Sequence, residues 1–310
     1  MKKRYIIFLI VIILACLTIF LIVNSKPKEK ENEPEAEKEF SYTPLIYKIC
    51  DKDSCMHLLG SIHVGDDRVT KFNNIITDIY KKSDYLAVEV DTTDISVDET
   101  MFLLPSNKTI DDLVSDEVKQ KLIDFSSKHI LFPYDSLKVF TLGYIQNYIS
   151  LLPAIESSLL ASGVDEYFLK MAHEDGKEII SLETYESQLA FFTDYSNDFY
   201  IKQIVYAIDN YDEQKKMMKE LYETYLTGDK EKIEKILDED VEDESELTEE
   251  EERYGQAMIY DRNEAMTEKV ENFLSENKKI FMVVGEAHVL GEDGIIDLLE
   301  DKDYKISIVK

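Results

Sequence analysis

The sequence Leu-Leu-Gly-Ser-Ile-His-Val-Gly stands at residues 58–65, and Val-Val-Gly-Glu-Ala-His-Val-Leu-Gly stands at residues 283–291. Each begins as an apolar strand, is broken at a glycine and carries a histidine three positions later. Glycine lets the backbone turn sharply at the end of a strand, and ligands of α/β proteins bind at that edge of the sheet. Because the chain has only five histidines, the repetition predicts that His63 and His288 lie at a shared rim.

Residues 58–65 and 283–291, the two histidine phrases, are flanked by the same order of predicted secondary-structure elements. Around the first phrase, the pattern predicts hairpin strands over 45–49 and 56–60, a helix over 68–82 and a strand over 85–90. Around the second, it predicts a strand over 280–284, a helix over 294–300 and a strand over 304–309. The chain is therefore expected to adopt an α/β fold whose mixed, partly parallel sheet is built from two related halves, each a strand, a Gly-x-x-His phrase, a helix and a strand.

The segment between the two halves is mainly helical. Helices are predicted over 115–128, 134–152 and 164–173, a short strand over 178–182, and several further helices over 183–274. Tyrosine and methionine recur there at helical spacing, which indicates packing faces rather than a cofactor site.

The N-terminus carries a long apolar run. Residues 5–23 contain no charge and follow three basic residues at positions 2–4, which predicts a transmembrane signal anchor with the remainder of the chain outside the cytoplasm. A cleaved signal peptide or lipoprotein signal, with Cys16 in a loose lipobox, is the alternative. Residues 24–39 are charged and predict a disordered tether, so the folded domain is expected over 40–310.

The composition is strongly acidic. The chain has 35 basic and 64 acidic residues, a net charge of −29, which opposes binding to nucleic acid. Many of the acids lie within residues 229–252, where they predict a solvated surface.

Two cysteines flank a turn-like tetrapeptide. Cys50 and Cys55 bracket Asp-Lys-Asp-Ser, which predicts a hairpin whose ends are joined by a disulfide in an oxidising compartment. A metal site is the weaker alternative, because the second pair of ligands that structural zinc needs is missing from the neighbourhood.

Two imidazoles and a carboxylate at one rim are suited to a divalent metal. Glu89 interrupts an apolar strand, where a charge is costly unless it is paired or binds a cation. His63, Glu89 and His288 are therefore the candidate metal ligands, with positions left open for an activated water. Glu286 shares a strand face with His288 if the backbone stays extended, and is a candidate second ligand or general base. A histidine after a glycine is also commonly structural, and the remaining histidines are assigned structural roles.

The two phrases, Ala87-Val88-Glu89-Val90-Asp91 and residues 291–299 resemble the TraB/GumN family, which includes the Tiki membrane-anchored metalloproteases. Further matches follow in the order Gly163-Val164-Asp165, residues 176–184, Gln188 and Arg262-Asn263. The resemblance covers residues 45–309. It implies an α/β fold related to erythromycin esterases and haem-binding ChaN-like proteins.

The resemblance also implies a function. Tiki proteins are described as divalent-metal-dependent proteases, so manganese or cobalt is the expected cofactor, with zinc as an alternative. Arg262 and Asn263 match the Arg-Asn pair of the family and are candidates for stabilising an oxyanion or orienting substrate; a salt bridge is the alternative for Arg262. Asp165 and Glu183 coincide with family positions as lower-ranked pocket residues, and each has a helix-start role as its alternative.

The leading hypothesis is a membrane-tethered, extracytoplasmic metal-dependent hydrolase that acts on peptides or proteins at the cell surface. The second is a non-catalytic protein that sequesters a peptide signal or a haem-like ligand. The third is a structural domain with a vestigial pocket. The sequence does not fix the oligomeric state.

Overall fold

A computed structural model describes residues 40–93, 95, 98–159, 163–239, 247–300, 302 and 304–309. Within these ranges the strands are β1 (Ile46–Cys50), β2 (Cys55–Ser61), β3 (Tyr85–Val88), β4 (Glu178–Ser181), β5 (Ile280–Gly285) and β6 (Lys305–Ile308). They form one sheet in the order β4-β3-β5-β2-β1-β6. Strands β4, β3, β5 and β2 run parallel to one another, whereas β1 runs antiparallel to its neighbours β2 and β6. The predicted mixed, partly parallel sheet is confirmed.

The helices surround this sheet. Their bounds are α1 (Asn74–Lys82), α2 (Asp116–Lys128), α3 (Tyr134–Leu137), α4 (Leu142–Glu156), α5 (Val164–Asp175), α6 (Tyr185–Thr193), α7 (Asn197–Asp209), α8 (Tyr211–Tyr225), α9 (Lys230–Glu239), α10 (Glu249–Gly255), α11 (Asp261–Ser275), α12 (Glu286–Val289) and α13 (Ile295–Glu300). Short 3₁₀ turns lie at Glu99–Phe102 and Ile110–Asp112. A π-helical turn at Gln256–Tyr260 joins α10 to α11.

The two halves cross the sheet in opposite directions. From β2 the chain passes through α1 to β3, which lies toward the β4 edge of the sheet. From β5 it passes through α13 to β6, which forms the opposite edge. Since crossover connections are almost always right-handed, opposite directions place the two helices on opposite faces. Their buried side chains agree: Ile76 of α1 and Ile295 of α13 belong to different core clusters. Where the connections from two adjacent strands, here β2 and β5, run to opposite faces of the sheet, a crevice opens at the carboxyl ends of those strands.

The helical middle section has a core of its own. Phe132, Ile145 and Ile204 belong to a third cluster made of α2, α4, α7 and their neighbours. This cluster excludes the sheet strands, so the helical section packs as a separate layer that can supply a wall to a site at the sheet edge.

The first helix begins later than predicted. The expected start at residue 68 is wrong because Asp66 accepts a hydrogen bond from the Arg68 amide at 2.9 Å and holds a turn there. The helix begins at Asn74, where the Asn73 side chain caps it by accepting from the Ile75 amide. The α5 helix is capped by Gly163, so the capping role considered for Asp165 is absent.

The hairpin has the predicted disulfide. Cys50 pairs with Cys55 across β1 and β2, and their sulfurs are bonded. Of the helices in the described ranges, none is long and apolar enough to cross a membrane. The predicted anchor over 5–23 and tether over 24–39 lie outside those ranges.

Candidate functional site

The structure brings the two histidine phrases to neighbouring strands. Ser61, the last residue of β2, lies opposite Gly285, the last residue of β5. His63 follows just beyond β2, and His288 lies in α12, just beyond β5. Burial lowers the pKa of His288 far below its usual range, and the charges of Arg262 and His63 lower it further. The two imidazoles therefore share one electrostatic environment, and both are buried.

One ring nitrogen of His63 is held by an acid from a distant part of the chain. Its Nδ1 lies 2.8 Å from Oδ2 of Asp165, and the other oxygen of Asp165 accepts a hydrogen bond from Ser61 Oγ at 2.7 Å. Burial alone would raise the pKa of Asp165, but the His63 imidazole and these hydrogen bonds lower it below its usual value. Asp165 is thus an ionised partner that orients the His63 ring.

Close packing fixes the same segment. A Cβ added to Gly163 would lie 2.6 Å from the Cα of His63, and the Val164 amide donates to the Ile62 carbonyl at 3.1 Å. The start of α5 therefore lies directly against the first histidine phrase. Glycine is required at 163 because the two backbones approach so closely.

One ring nitrogen of His288 is held by an amide. Its Nδ1 lies 2.7 Å from Oδ1 of Asn263. The Asn263 amide donates to the Asp293 carbonyl at 2.9 Å, so its oxygen is the atom that faces His288. Nδ1 of His288 must then carry the proton, and Nε2 carries the lone pair. Across the part of the chain that the structure describes, Nε2 of His288 has no hydrogen-bond partner.

Arg262 joins two acids in a buried cluster. Its Nε lies 2.5 Å from Glu183 Oε1, and one terminal nitrogen lies 2.7 Å from Glu89 Oε2. Another terminal nitrogen donates to the Met258 carbonyl at 3.3 Å. The guanidinium is therefore committed to carboxylates and a carbonyl, as the salt-bridge alternative expected, although the cluster is buried rather than on the surface. The neighbouring π-helical turn is of a kind that is frequent at functional sites.

Glu89 has more than one partner. Its Oε1 accepts from the Gly285 amide at 2.8 Å, and Gln188 Nε2 lies 3.5 Å from its Oε2. Burial raises the pKa of Glu89, the charges of Arg262 and His63 oppose that rise, and Glu183 adds to it. Because the Arg262 guanidinium is shared between Glu89 and Glu183, it does not fully offset the effect of burial on Glu89. Glu89 is therefore the carboxyl in the cluster best placed to exchange a proton.

Glu286 is oriented differently from the expectation. The extended backbone assumed between Glu286 and His288 is wrong, because residues 286–289 form a helical turn. Side chains two residues apart on a helix project in directions about 200° apart, so those of Glu286 and His288 point to nearly opposite sides. A Cβ added to Gly60 would lie only 1.5 Å from Glu286 Oε2. The carboxyl thus lies over Gly60, whose carbonyl accepts from the Tyr225 hydroxyl at 2.9 Å.

The Glu286 carboxyl is buried without compensation. Within the described ranges, neither of its oxygens has a hydrogen-bond partner. Burial, with a smaller contribution from Glu234, raises its pKa to about 8. A carboxyl with that pKa keeps its proton at neutral pH, which is the form of an acid rather than of a base.

The imidazoles fit a divalent metal better than Glu89 does. Metal-binding histidines usually have their second ring nitrogen held by a carboxylate or carbonyl, and Asp165 and Asn263 hold Nδ1 of His63 and His288. The oxygens of Glu89 are already bonded to protein groups. Among the residues that the structure describes, no group of three or more His, Cys, Asp or Glu side chains is arranged to hold a metal ion. The three-ligand set of His63, Glu89 and His288 stays a prediction.

A cleft of about 510 Å³ reaches the buried cluster from the surface. One side is formed by α6 and the residues next to it, and the other by α10, the π-helical turn and α11. Glu183 and Arg262 line the cleft, and both also belong to the cluster around Glu89. The cleft therefore gives a ligand access to Glu183 and Arg262.

Two contributors went unrecognised in the sequence. Ser61 stands inside the first phrase, between its glycine and its histidine, so its position there was an available signal. Tyr225, whose hydroxyl fixes the Gly60 carbonyl, lies 165 residues away in a helix, where nothing local marks it.

One protein family matches most of the folded part of this chain, and individual proteins match a shorter stretch of it. The model of the TraB/PrgY/gumN family matches residues 45–308. The uncharacterized protein YbaP of Escherichia coli strain K12 is 28% identical over 139 residues, which are 43% of this chain and 50% of that protein. The uncharacterized protein YbaP of Shigella flexneri matches with the same figures. The chain thus spans about half the length of the curated relatives it matches, and no solved structure matches it significantly.

The family match runs from β1 to the end of β6 and so includes both histidine phrases, the Glu89 cluster and α11. The chain belongs to the TraB/PrgY/gumN family.

Proposed function

We propose that this protein is a metal-dependent hydrolase, a peptidase that acts on peptides at the cell surface. The observation that carries the proposal is the pair of buried imidazoles at the ends of two adjacent parallel strands, each with its Nδ1 held by another side chain. Such pre-orientation is what a metal-binding histidine requires. Nε2 of His63 and of His288 would hold the ion.

A bound divalent ion would supply Lewis-acid polarisation of a carbonyl and activation of water. Glu89 would accept the proton released in hydrolysis, since burial raises the pKa of this carboxyl and favours its protonated form. Arg262 is a positioning residue that holds Glu89 through the 2.7 Å ion pair. Asn263 positions His288 in the same sense. The oxyanion role expected for this Arg-Asn pair is not supported by their contacts.

The proposal includes attachment to a membrane on its outer face. It rests on the apolar run over 5–23, on the basic residues before it and on the Cys50–Cys55 disulfide, which suits an oxidising compartment.

A peptide digest tests the activity. The full-length chain in detergent is incubated with a mixed peptide library and Mn²⁺, Co²⁺ or Zn²⁺, and products are identified by mass spectrometry. We expect cleavage that a chelator abolishes and that falls by roughly 100-fold or more in His63→Ala and in His288→Ala. His173→Ala is the matched control, because His173 is half exposed and bonded to Thr93. Cleavage that survives both site variants would refute the proposal.

The second candidate is a protein that captures a peptide signal or a haem-like ligand without turnover. The full engagement of the Glu89 oxygens favours it, since a carboxylate satisfied by the Arg262 guanidinium and the Gly285 amide needs no metal ion. Stoichiometric capture of a library peptide with no products in the same experiment would decide for this candidate.

A further inference from the structure

The cleft beside the buried cluster has a particular shape and lining. Ser187 and Ala190 lie on one side of α6, and Glu183 and Asp194 line the cleft just before and just after this helix. Ala257 lies across from them. Small side chains on both sides leave a groove between two helices that would otherwise pack together.

The lining of the cleft includes an aromatic ring that already holds a cation. The guanidinium of Arg253 lies 5.2 Å from the centre of the Tyr195 ring. That ring is supported by Tyr254, whose centre is 5.0 Å away. An aromatic face at this distance attracts cations in general. Glu250 holds Arg253 only loosely, since their contact is 3.5 Å long and the Arg253 side chain is 64% exposed.

Acids outnumber bases around the cleft. Glu183 and Asp194 line it, Glu89 lies behind Arg262, and Glu250 lies beside Arg253. These four carboxyl groups face two guanidinium groups, so the region carries an excess of acidic groups within a chain of net charge −29. Such a field concentrates cationic ligands.

We infer that the cleft binds a basic side chain, lysine or arginine, of a peptide ligand. The cation contacts Asp194 and the Tyr195 ring, and the peptide backbone leads toward Arg262. The inference rests on the proposed function, because it names the class of peptide that this site receives. In this arrangement Arg253 occupies the position that the cation of the ligand takes when it binds.

Calorimetry with two matched peptides tests the inference. Acetyl-Ala-Lys-Ala-amide and acetyl-Ala-norleucine-Ala-amide differ in the ammonium group and share the same four-carbon chain. They are titrated into the full-length chain with a chelator present, so that binding is measured without turnover. We expect the lysine peptide to bind about fivefold tighter at low ionic strength and the preference to shrink in salt, as partly exposed charge pairs do.

Two variants and a control sharpen the test. Asp194→Asn should reduce the preference for lysine toward one, and Arg253→Gln should increase it because the competing cation is removed. Asp198→Asn changes an exposed acid outside the cleft and should leave the preference as it is. Equal affinity for the two peptides, absence of binding by both, or an unchanged preference in Asp194→Asn would overturn the inference.

The outcome is separable from that of the proposed function. Metal-dependent hydrolysis without a preference for lysine would leave the hydrolase standing and remove the basic-side-chain site. A preference for lysine without hydrolysis would do the reverse.

Discussion

Substituting Gly60 by alanine should destabilise the protein through a single contact. The new Cβ would lie 1.5 Å from Oε2 and 2.4 Å from Cδ of Glu286, about 2 Å inside ordinary van der Waals separation. The clash falls on the terminal carboxyl of Glu286, which is buried and can rotate aside only by displacing its neighbours, while the backbones of β2 and β5 are paired up to Ser61 and Gly285. Overpacking of this kind costs roughly 1–3 kcal/mol, and the better strand propensity of alanine offsets about 0.5–1 kcal/mol of it.

We therefore expect Gly60→Ala to lower the free energy of unfolding by about 1 kcal/mol, measured by urea titration of the purified chain with far-ultraviolet circular dichroism. Glu286→Ala removes the group that clashes, so the double variant should be more stable than the sum of the single effects by about 2 kcal/mol. The reasoning is refuted if Gly60→Ala is as stable as the wild type, or if the two substitutions are additive.

Three further predictions concern the charged groups. In the folded chain Glu286 keeps its proton up to about pH 8, whereas in the unfolded chain it loses it near pH 4.5. Between these values its ionisation favours unfolding, so the free energy of unfolding should fall by about 1.4 kcal/mol per pH unit as the pH rises, up to roughly 5 kcal/mol. Urea titrations in chelator should show this slope as the difference between the wild type and Glu286→Gln, and parallel pH profiles would exclude it. Arg262→Gln should cost about 3–5 kcal/mol, because it leaves the buried carboxyl of Glu89 and the largely buried carboxyl of Glu183 without their cation. Stability should recover in part at low pH as Glu89 protonates, and a midpoint in urea equal to that of the wild type would contradict this. Asp165→Asn should weaken binding of Mn²⁺ by roughly 10–100-fold, through loss of the orientation of His63; calorimetry showing unchanged affinity would remove Asp165 from the site.

The sheet and the meeting of the two phrases could be predicted from sequence because both depend on local patterns. Apolar runs that end in glycine mark β2 and β5, and a repeated order of elements implies two similar crossovers. Parallel strands place their carboxyl ends at one edge, so the neighbourhood of His63 and His288 follows from topology without any knowledge of side-chain contacts.

The contacts within the site could not be predicted in the same way. Asp165 and Asn263 hold the histidines from helices that are far away in the chain, and sequence spacing contains no measure of such distances. The orientation of Glu286 was missed because the choice between one more extended residue and a helical turn is made at Gly285 by packing against Gly60. The sequence marks Arg262 as a site residue, but its partners Glu89 and Glu183 follow β3 and β4, and only the fold brings them to α11.

The most direct test of the account is a crystal structure of the full-length chain grown with Mn²⁺, with anomalous scattering recorded to locate the metal. The account predicts one strong peak per chain, bonded to Nε2 of both His63 and His288, with their Nδ1 atoms still held by Asp165 and Asn263. A peak bonded to neither imidazole, or the two histidines facing separate cavities with no ion between them, would contradict it.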